Sequence, residues 1–137
     1  MDEAKRMEVH AWYKKAEQDL EATNRLLKGP MPLCDAAGFH CQQAAEKALK
    51  AFLTWKDIPF IKTHSLVALV AACLSVDPEF EQIREAAVTL TPYAVASRYP
   101  GDLAELTQTE AQTALVLANH IWNFVNERLP QDLLRES

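Results

Sequence analysis

The run Phe39-His40-Cys41-Gln42-Gln43-Ala44-Ala45-Glu46-Lys47-Ala48-Leu49-Lys50 holds the densest set of side chains able to do chemistry in this sequence. His40, Gln43, Lys47 and Lys50 recur at steps of three or four, which on an α-helix puts them along one side. A histidine, an amide and two ammonium groups in one line offer hydrogen-bond donors and positive charge to a phosphate or to a partner's carboxylates. The plain alternative is a solvated face on which Glu46 and Lys50 form an i,i+4 pair and His40 is a structural residue at the polar–apolar border.

Ser97-Arg98-Tyr99-Pro100 is the second candidate. An arginine can grip a phosphate with two N–H groups, and a tyrosine can stack on a base. Pro92 and Pro100 bracket this turn, so presenting Arg98 loses little conformational entropy. Arg98 bonded to carbonyls of the preceding helix, with Tyr99 packed on the rim, is the competing reading. His64 reads first as a helix-start residue, and His120 as a structural residue beside Ile121-Trp122. Arg98, Tyr99, Lys47, His40, Gln43 and His64 together form the candidate ligand site, and an anion such as a small nucleotide is the ligand it suits.

Other chemistries lack their signatures. The sequence has no glycine-rich phosphate loop, no His-Glu-x-x-His helix, no paired-carboxylate motif and no nucleophile elbow. The four histidines and three cysteines are scattered, and Cys34 and Cys41 are seven residues apart rather than in a Cys-x-x-Cys clip. No catalytic residue, metal or cofactor is assigned on these grounds. Cys34, Cys41 and Cys73 read as small buried hydrophobes in a reducing compartment.

The elements that must position these residues are all helical. Glycine is scarce, at three residues, while alanine and leucine are abundant, and that balance favours helix. Residues 4–28 carry Val9, Ala16, Leu20, Thr23 and Leu27 at helical spacing, and Gly29-Pro30-Met31-Pro32 ends the segment. A second helix is expected over 35–56, with Ala37, Cys41, Ala44, Ala45, Ala48, Phe52 and Trp55 on its apolar side and His40, Gln43, Glu46, Lys47 and Lys50 opposite. The spacing predicts a short third helix over 64–74, begun by Thr63 or His64. Asp77-Pro78-Glu79 is a strong start signal for a fourth helix to about 90, continued as a turn through Thr91-Pro92-Tyr93. A last helix is predicted over 103–128, unless its first turn begins at the capping box that Thr107 and Glu110 would make. No segment alternates like a strand. The expected fold is all-α, an up-and-down antiparallel bundle of four to five helices forming one domain over 1–137.

Charge and composition bound the partners. A net charge of −5 without any Lys/Arg run argues against a grip on long RNA or DNA, which needs a basic surplus. The charged N-terminus, Met1-Asp2-Glu3-Ala4-Lys5-Arg6, lacks an apolar signal core, and no apolar run approaches the roughly 20 residues that span a bilayer. A cytoplasmic protein without membrane contact is the expectation. Trp12, Trp55 and Trp122 are more apolar surface than a thin bundle is expected to bury alone, which predicts a symmetric homodimer.

The Phe-His-Cys-Gln-Gln-Ala-Ala-Glu-Lys-Ala-Leu-Lys run also resembles the HEPN family of helical domains, often found beside minimal nucleotidyltransferases. Trp12, Ala16 and Asp19-Leu20 resemble the family's first helix, Thr63-His64-Ser65-Leu66 its His-x-Leu element, and Ser97-Arg98-Tyr99-Pro100 its Arg-Tyr-Pro element. The likeness covers most of the chain in order and spacing. It implies a four- or five-helix bundle, commonly dimeric. Many members are metal-independent ribonucleases or toxins paired with a nucleotidyltransferase antitoxin, and their chemistry is attributed to an Arg and a His separated by four to six residues. This chain departs from that pattern: Arg6 and His10 come nearest and are one residue too close. The resemblance therefore carries over the non-catalytic branch, for which nucleotide binding or pairing with a minimal nucleotidyltransferase is the implied role. A ribonuclease toxin using Arg98 with His40 or His64, and a purely structural homodimer, are the alternatives.

Overall fold

The computed structural model describes residues 2–94 and 105–133. Among these residues lie five α-helices and no strand: α1 (Glu3–Leu26), α2 (Cys34–Trp55), α3 (Leu66–Leu74), α4 (Arg84–Leu90) and α5 (Gln108–Asn126). Short 3-10 segments occupy Pro78–Ile83, Thr91–Ala94 and Gln131–Leu133. The all-α expectation is met.

Local chemistry explains most helix ends. The Asp2 carboxylate accepts from the Lys5 N–H at 2.8 Å and starts α1. Gly29, at φ +89°, takes the left-handed turn that follows a helix, which costs glycine no Cβ clash. α2 stops at Trp55, before Ile58-Pro59, with Asp57 in the left-handed region at φ +57°. Ser65 rather than Thr63 or His64 caps α3, its hydroxyl accepting from the Ala68 N–H at 3.2 Å. Asp77 accepts from the Glu79 N–H at 3.0 Å as expected, but the chain first winds as a 3-10 turn and becomes α-helical only at Arg84. A cap fixes where winding begins, not how tightly it continues. Thr107 and Glu110 form the reciprocal capping box, so α5 begins at Gln108 rather than at Leu103.

α2 sits at the centre and packs against α1, α3, α4 and α5. The α1 stripe of Val9, Ala16, Leu20, Thr23 and Leu27 is buried, as its spacing predicts. Cys41 donates to the Thr23 hydroxyl at 3.8 Å, so the alanine-rich side of α2 faces α1. Phe52 near the C-terminal end of α2 meets Phe80 at 4.5 Å, and Phe80 meets Phe124 near the end of α5 at 4.9 Å. At the other end Ala37, Leu27 and Ala111 share a small cluster. α2 and α5 therefore run the same way. α1 runs against both, its Tyr13 donating to Asn126 of α5 at 2.6 Å.

Two expectations are corrected here. The polar side of α2 is not a solvated face: Gln42, Glu46 and Lys50 are 0%, 4% and 7% exposed, because α1 lies against one flank and the segment leading into α3 against the other. The three tryptophans are half-buried and pack against the chain's own core, so they leave no large exposed aromatic patch from which to infer a dimer. Cys41 and Cys73 are fully buried, while Cys34 at the start of α2 is only partly so. Among the described residues, no helix is long and apolar enough to cross a membrane.

Candidate functional site

The chemistry of α2 is organised by two carboxylates. Asp19, a buried residue of α1, receives His40 and Lys47 from α2. One oxygen lies 2.7 Å from His40 Nδ1, and the other accepts from Lys47 Nζ at 2.6 Å. Glu46, on α2 itself, holds a second set. One oxygen lies 2.9 Å from His64 Nδ1 and accepts from the Gln42 amide at 3.1 Å, and the other accepts from Lys50 at 3.0 Å. The Gln42 amide also donates to the His64 carbonyl at 2.8 Å, which ties the approach to α3 onto α2.

The two sets differ in their access to solvent. Around Asp19 both partner side chains reach the surface, at 32% exposure for His40 and 21% for Lys47. A histidine whose Nδ1 faces a carboxylate turns Nε2 the other way, and the carboxylate steadies the imidazolium when the ring is protonated. His40 borders a shallow surface groove with Gln18, Glu21, Ala22, Arg25 and Leu26 of α1. Arg25 is paired with Glu21 at 3.0 Å there. Around Glu46 the lysine is sealed in: Lys50 Nζ lies 5.3 Å from the centre of the Trp12 ring and 5.9 Å from that of Phe60. Burial pushes the Glu46 carboxyl upward, but the hydrogen bonds from His64, Gln42 and Lys50 and the charge of Lys50 outweigh it. They hold the group below its ordinary value of 4.5.

The candidate residues thus divide. His40 and Lys47 come together on Asp19. His64 joins Glu46 instead, and its side chain is otherwise largely exposed. Gln43 lies between His40 and Lys47 along α2, and its amide donates to the side-chain amide oxygen of Gln42 at 2.7 Å, so it is bound into the Glu46 set. Arg98 and Tyr99 lie outside the described residues. His120, read as a core-edge residue, is exposed on α5.

Sequence reasoning missed Asp19 as the organiser. A signal existed: an aspartate one residue before Leu20 and four before Thr23 sits at the edge of a buried stripe, where an unpaired charge is costly. Arg25 as a neighbour of His40 was not visible, since no local spacing links them. Arg6, the nearest match to an Arg–His motif, instead donates to the Asp132 carbonyl and carboxylate, each at 3.1 Å. The two buried thiols, Cys41 and Cys73, make poor nucleophiles. Burial pushes Cys41 up to about 11 against a smaller lowering by the Thr23 hydroxyl, and pushes Cys73 up to about 12 with help from the Asp77 charge. No group of three or more His, Cys, Asp or Glu among the described residues is arranged to hold a metal ion.

Comparison with known proteins bears on this arrangement. The HEPN domain matches residues 9–128. The solved structure of TT1696 from Thermus thermophilus is similar, with 32% identity over 88% of this chain and 98% of that one and a TM-score of 0.69. So is that of ST0689, described as an archaeal HEPN homologue, with 31% identity over 88% and 96% of the two chains and a TM-score of 0.70. No functionally curated protein matches the chain. The motif run on α2, the helical fold around it and the match across most of the length place this chain in the HEPN domain family.

Proposed function

We propose that this protein is a non-catalytic HEPN module that binds a small nucleotide, docks a minimal nucleotidyltransferase in the manner of a toxin–antitoxin pair, or does both, and that it works as a homodimer. The observation that carries the reading is the Asp19 set. Two donors of different kinds, an imidazole and an ammonium, are held at 2.7 Å and 2.6 Å by one buried carboxylate and still reach solvent. Side chains fixed in advance lose little entropy on binding, so a phosphate arriving there meets a prepared surface. Arg98 and Tyr99 remain part of the proposal as the gripping and stacking residues. The acidic net charge favours a small anion over a long nucleic acid.

Thermal-shift measurements with adenine and guanine nucleotides and with inorganic phosphate test the ligand. The unfolding midpoint of the unaltered protein should rise by several degrees with at least one nucleotide. His40→Ala, Lys47→Ala and Arg98→Ala should each remove the rise and leave the fold intact. Flat curves with every probe, together with failure to co-purify with a co-expressed minimal nucleotidyltransferase, reject the reading.

A second reading, a metal-independent ribonuclease, draws support from one feature: the Asp19-held imidazole of His40 borders the same groove as Arg25. An oriented histidine and an arginine are the parts that acid–base cleavage of a phosphodiester requires. Cleavage of a single-stranded RNA substrate that His40→Ala and Arg25→Ala both abolish would favour this reading over the first.

A further inference from the structure

Two neighbouring amides on α2 are oriented by what surrounds them. Gln42 is fully buried, and its amide nitrogen faces two acceptors, a Glu46 carboxylate oxygen at 3.1 Å and the His64 carbonyl at 2.8 Å. Neither oxygen can donate. One is a peptide carbonyl, and the other belongs to a carboxyl held below its ordinary value of 4.5 and so ionised near neutral pH. The Gln42 oxygen is thereby turned the other way, where only a donor suits it. Gln43 supplies that donor from its own amide nitrogen at 2.7 Å. Nitrogen and oxygen point different ways from an amide carbon, so Gln43 Oε1 turns away from the Glu46 set. Among the described residues, no donor meets that oxygen. Turning either amide over would set oxygen against oxygen at a buried position.

We propose that Gln43 selects the sugar of the ligand: its Oε1 accepts a hydrogen bond from a ribose hydroxyl of the nucleotide whose phosphate lies on His40 and Lys47, so the site prefers ribonucleotides to deoxyribonucleotides. The proposal rests on the nucleotide-binding reading above and adds the sugar to it. His40 and Lys47 bring donors, which a phosphate satisfies. An oxygen that can only accept repels a phosphate and calls for a hydroxyl or an N–H. Distance chooses between these two. Gln43 stands three residues after His40 and four before Lys47, one helical turn from each. Side chains so placed are about 5–6 Å apart at Cβ. A donor that meets Gln43 must therefore lie close to the phosphate along the ligand. Ribose hydroxyls sit on the sugar that carries the phosphate, whereas the amino groups of a base lie beyond that sugar. Gln43 is only partly buried, so its oxygen stays open to such a ligand. Its bond to Gln42 aims it before the ligand arrives, which lowers the entropy lost on binding.

Isothermal titration calorimetry with AMP, ATP, GMP and GTP, each beside its 2′-deoxy and 3′-deoxy forms, tests the proposal on the unaltered protein. Removing one of the two hydroxyls should weaken binding about tenfold, as expected for one hydrogen bond left unmade. Gln43→Met keeps the length of the side chain and the helix, and removes the oxygen. It should bind the ribonucleotide about tenfold more weakly and the deoxy form as the unaltered protein does, so that the two become equal. Gln43→Ala removes the same oxygen and takes its place if far-UV circular dichroism shows that Gln43→Met has not folded. A side chain that only props up α2 would weaken both ligands together and preserve their ratio, and that result overturns the proposal. Equal binding of the ribonucleotide and both deoxy forms by the unaltered protein also overturns it, and leaves nucleotide binding standing. Absence of binding by every ribonucleotide rejects the nucleotide reading, and the choice of sugar falls with it.

Discussion

Asp19 and Glu46 each hold one histidine and one lysine at hydrogen-bond distance, yet the two lysines lie at different depths. Glu46 and Lys50 are sealed between α1, the aromatic rings of Trp12 and Phe60, and the approach to α3. The set fastens three parts of the chain together, with only the His64 ring reaching well into solvent. Asp19 is also buried, but its lysine is not enclosed. Similar residue types therefore make a clamp where the lysine is enclosed and, in the function proposed above, a ligand surface where the lysine reaches water. Residue type does not separate the two; the depth of the lysine does.

The largest expected effect is at the clamp. Glu46→Ala leaves Lys50 buried without its carboxylate and removes the acceptor of Gln42 and His64, which should cost about 3–5 kcal/mol in denaturant unfolding. If it costs no more than a surface substitution, the clamp is no clamp and the contrast with Asp19 collapses. Acid sharpens the same point. The Glu46 carboxyl is held below its ordinary value of 4.5, so its contribution is complete above that value and is lost as the pH falls through the lower folded value. Stability should drop as the pH falls below about 4.5, and Glu46→Gln should flatten that part of the curve.

Next in size is the seam between α1 and α2 that carries both sets. Ala48 is fully buried two turns along from Cys41, on the side that meets α1. Ala48→Leu should overpack the seam and cost about 1–3 kcal/mol. An unchanged unfolding midpoint would mean that the two helices are held apart at this level.

Asp19→Ala should cost less than Glu46→Ala, about 1–2 kcal/mol, because water can reach both orphaned side chains. A loss equal to that of Glu46→Ala would make Asp19 a second clamp and weaken its claim as a ligand surface. The smallest effect on stability should come from His40→Ala, within about 0.5–1 kcal/mol, as expected for a partly exposed side chain. Its effect on nucleotide-induced stabilisation should be complete. The contrast between a large functional and a small structural effect is the signature sought, read from thermal shifts with and without nucleotide.

Much of this was written locally. The α1 stripe, the left-handed Gly29, the Asp77 cap and the Thr107–Glu110 box follow from spacing and side-chain reach within four residues, and so does the Glu46–Lys50 pair. The motifs from Trp12 to Pro100 likewise pointed to the HEPN family before any helix was placed against another. What the tertiary structure alone decided is which polar residues of α2 are covered. Helical periodicity assigns a residue to a side, and it cannot say what lies against that side. The partner of His40 and Lys47 is 21 and 28 residues away on another helix, and that of His64 is 18 residues back. Those distances are closed only when α1 packs on α2 and the chain folds back into α3. That packing also determines that Lys50 is enclosed while Lys47 meets water.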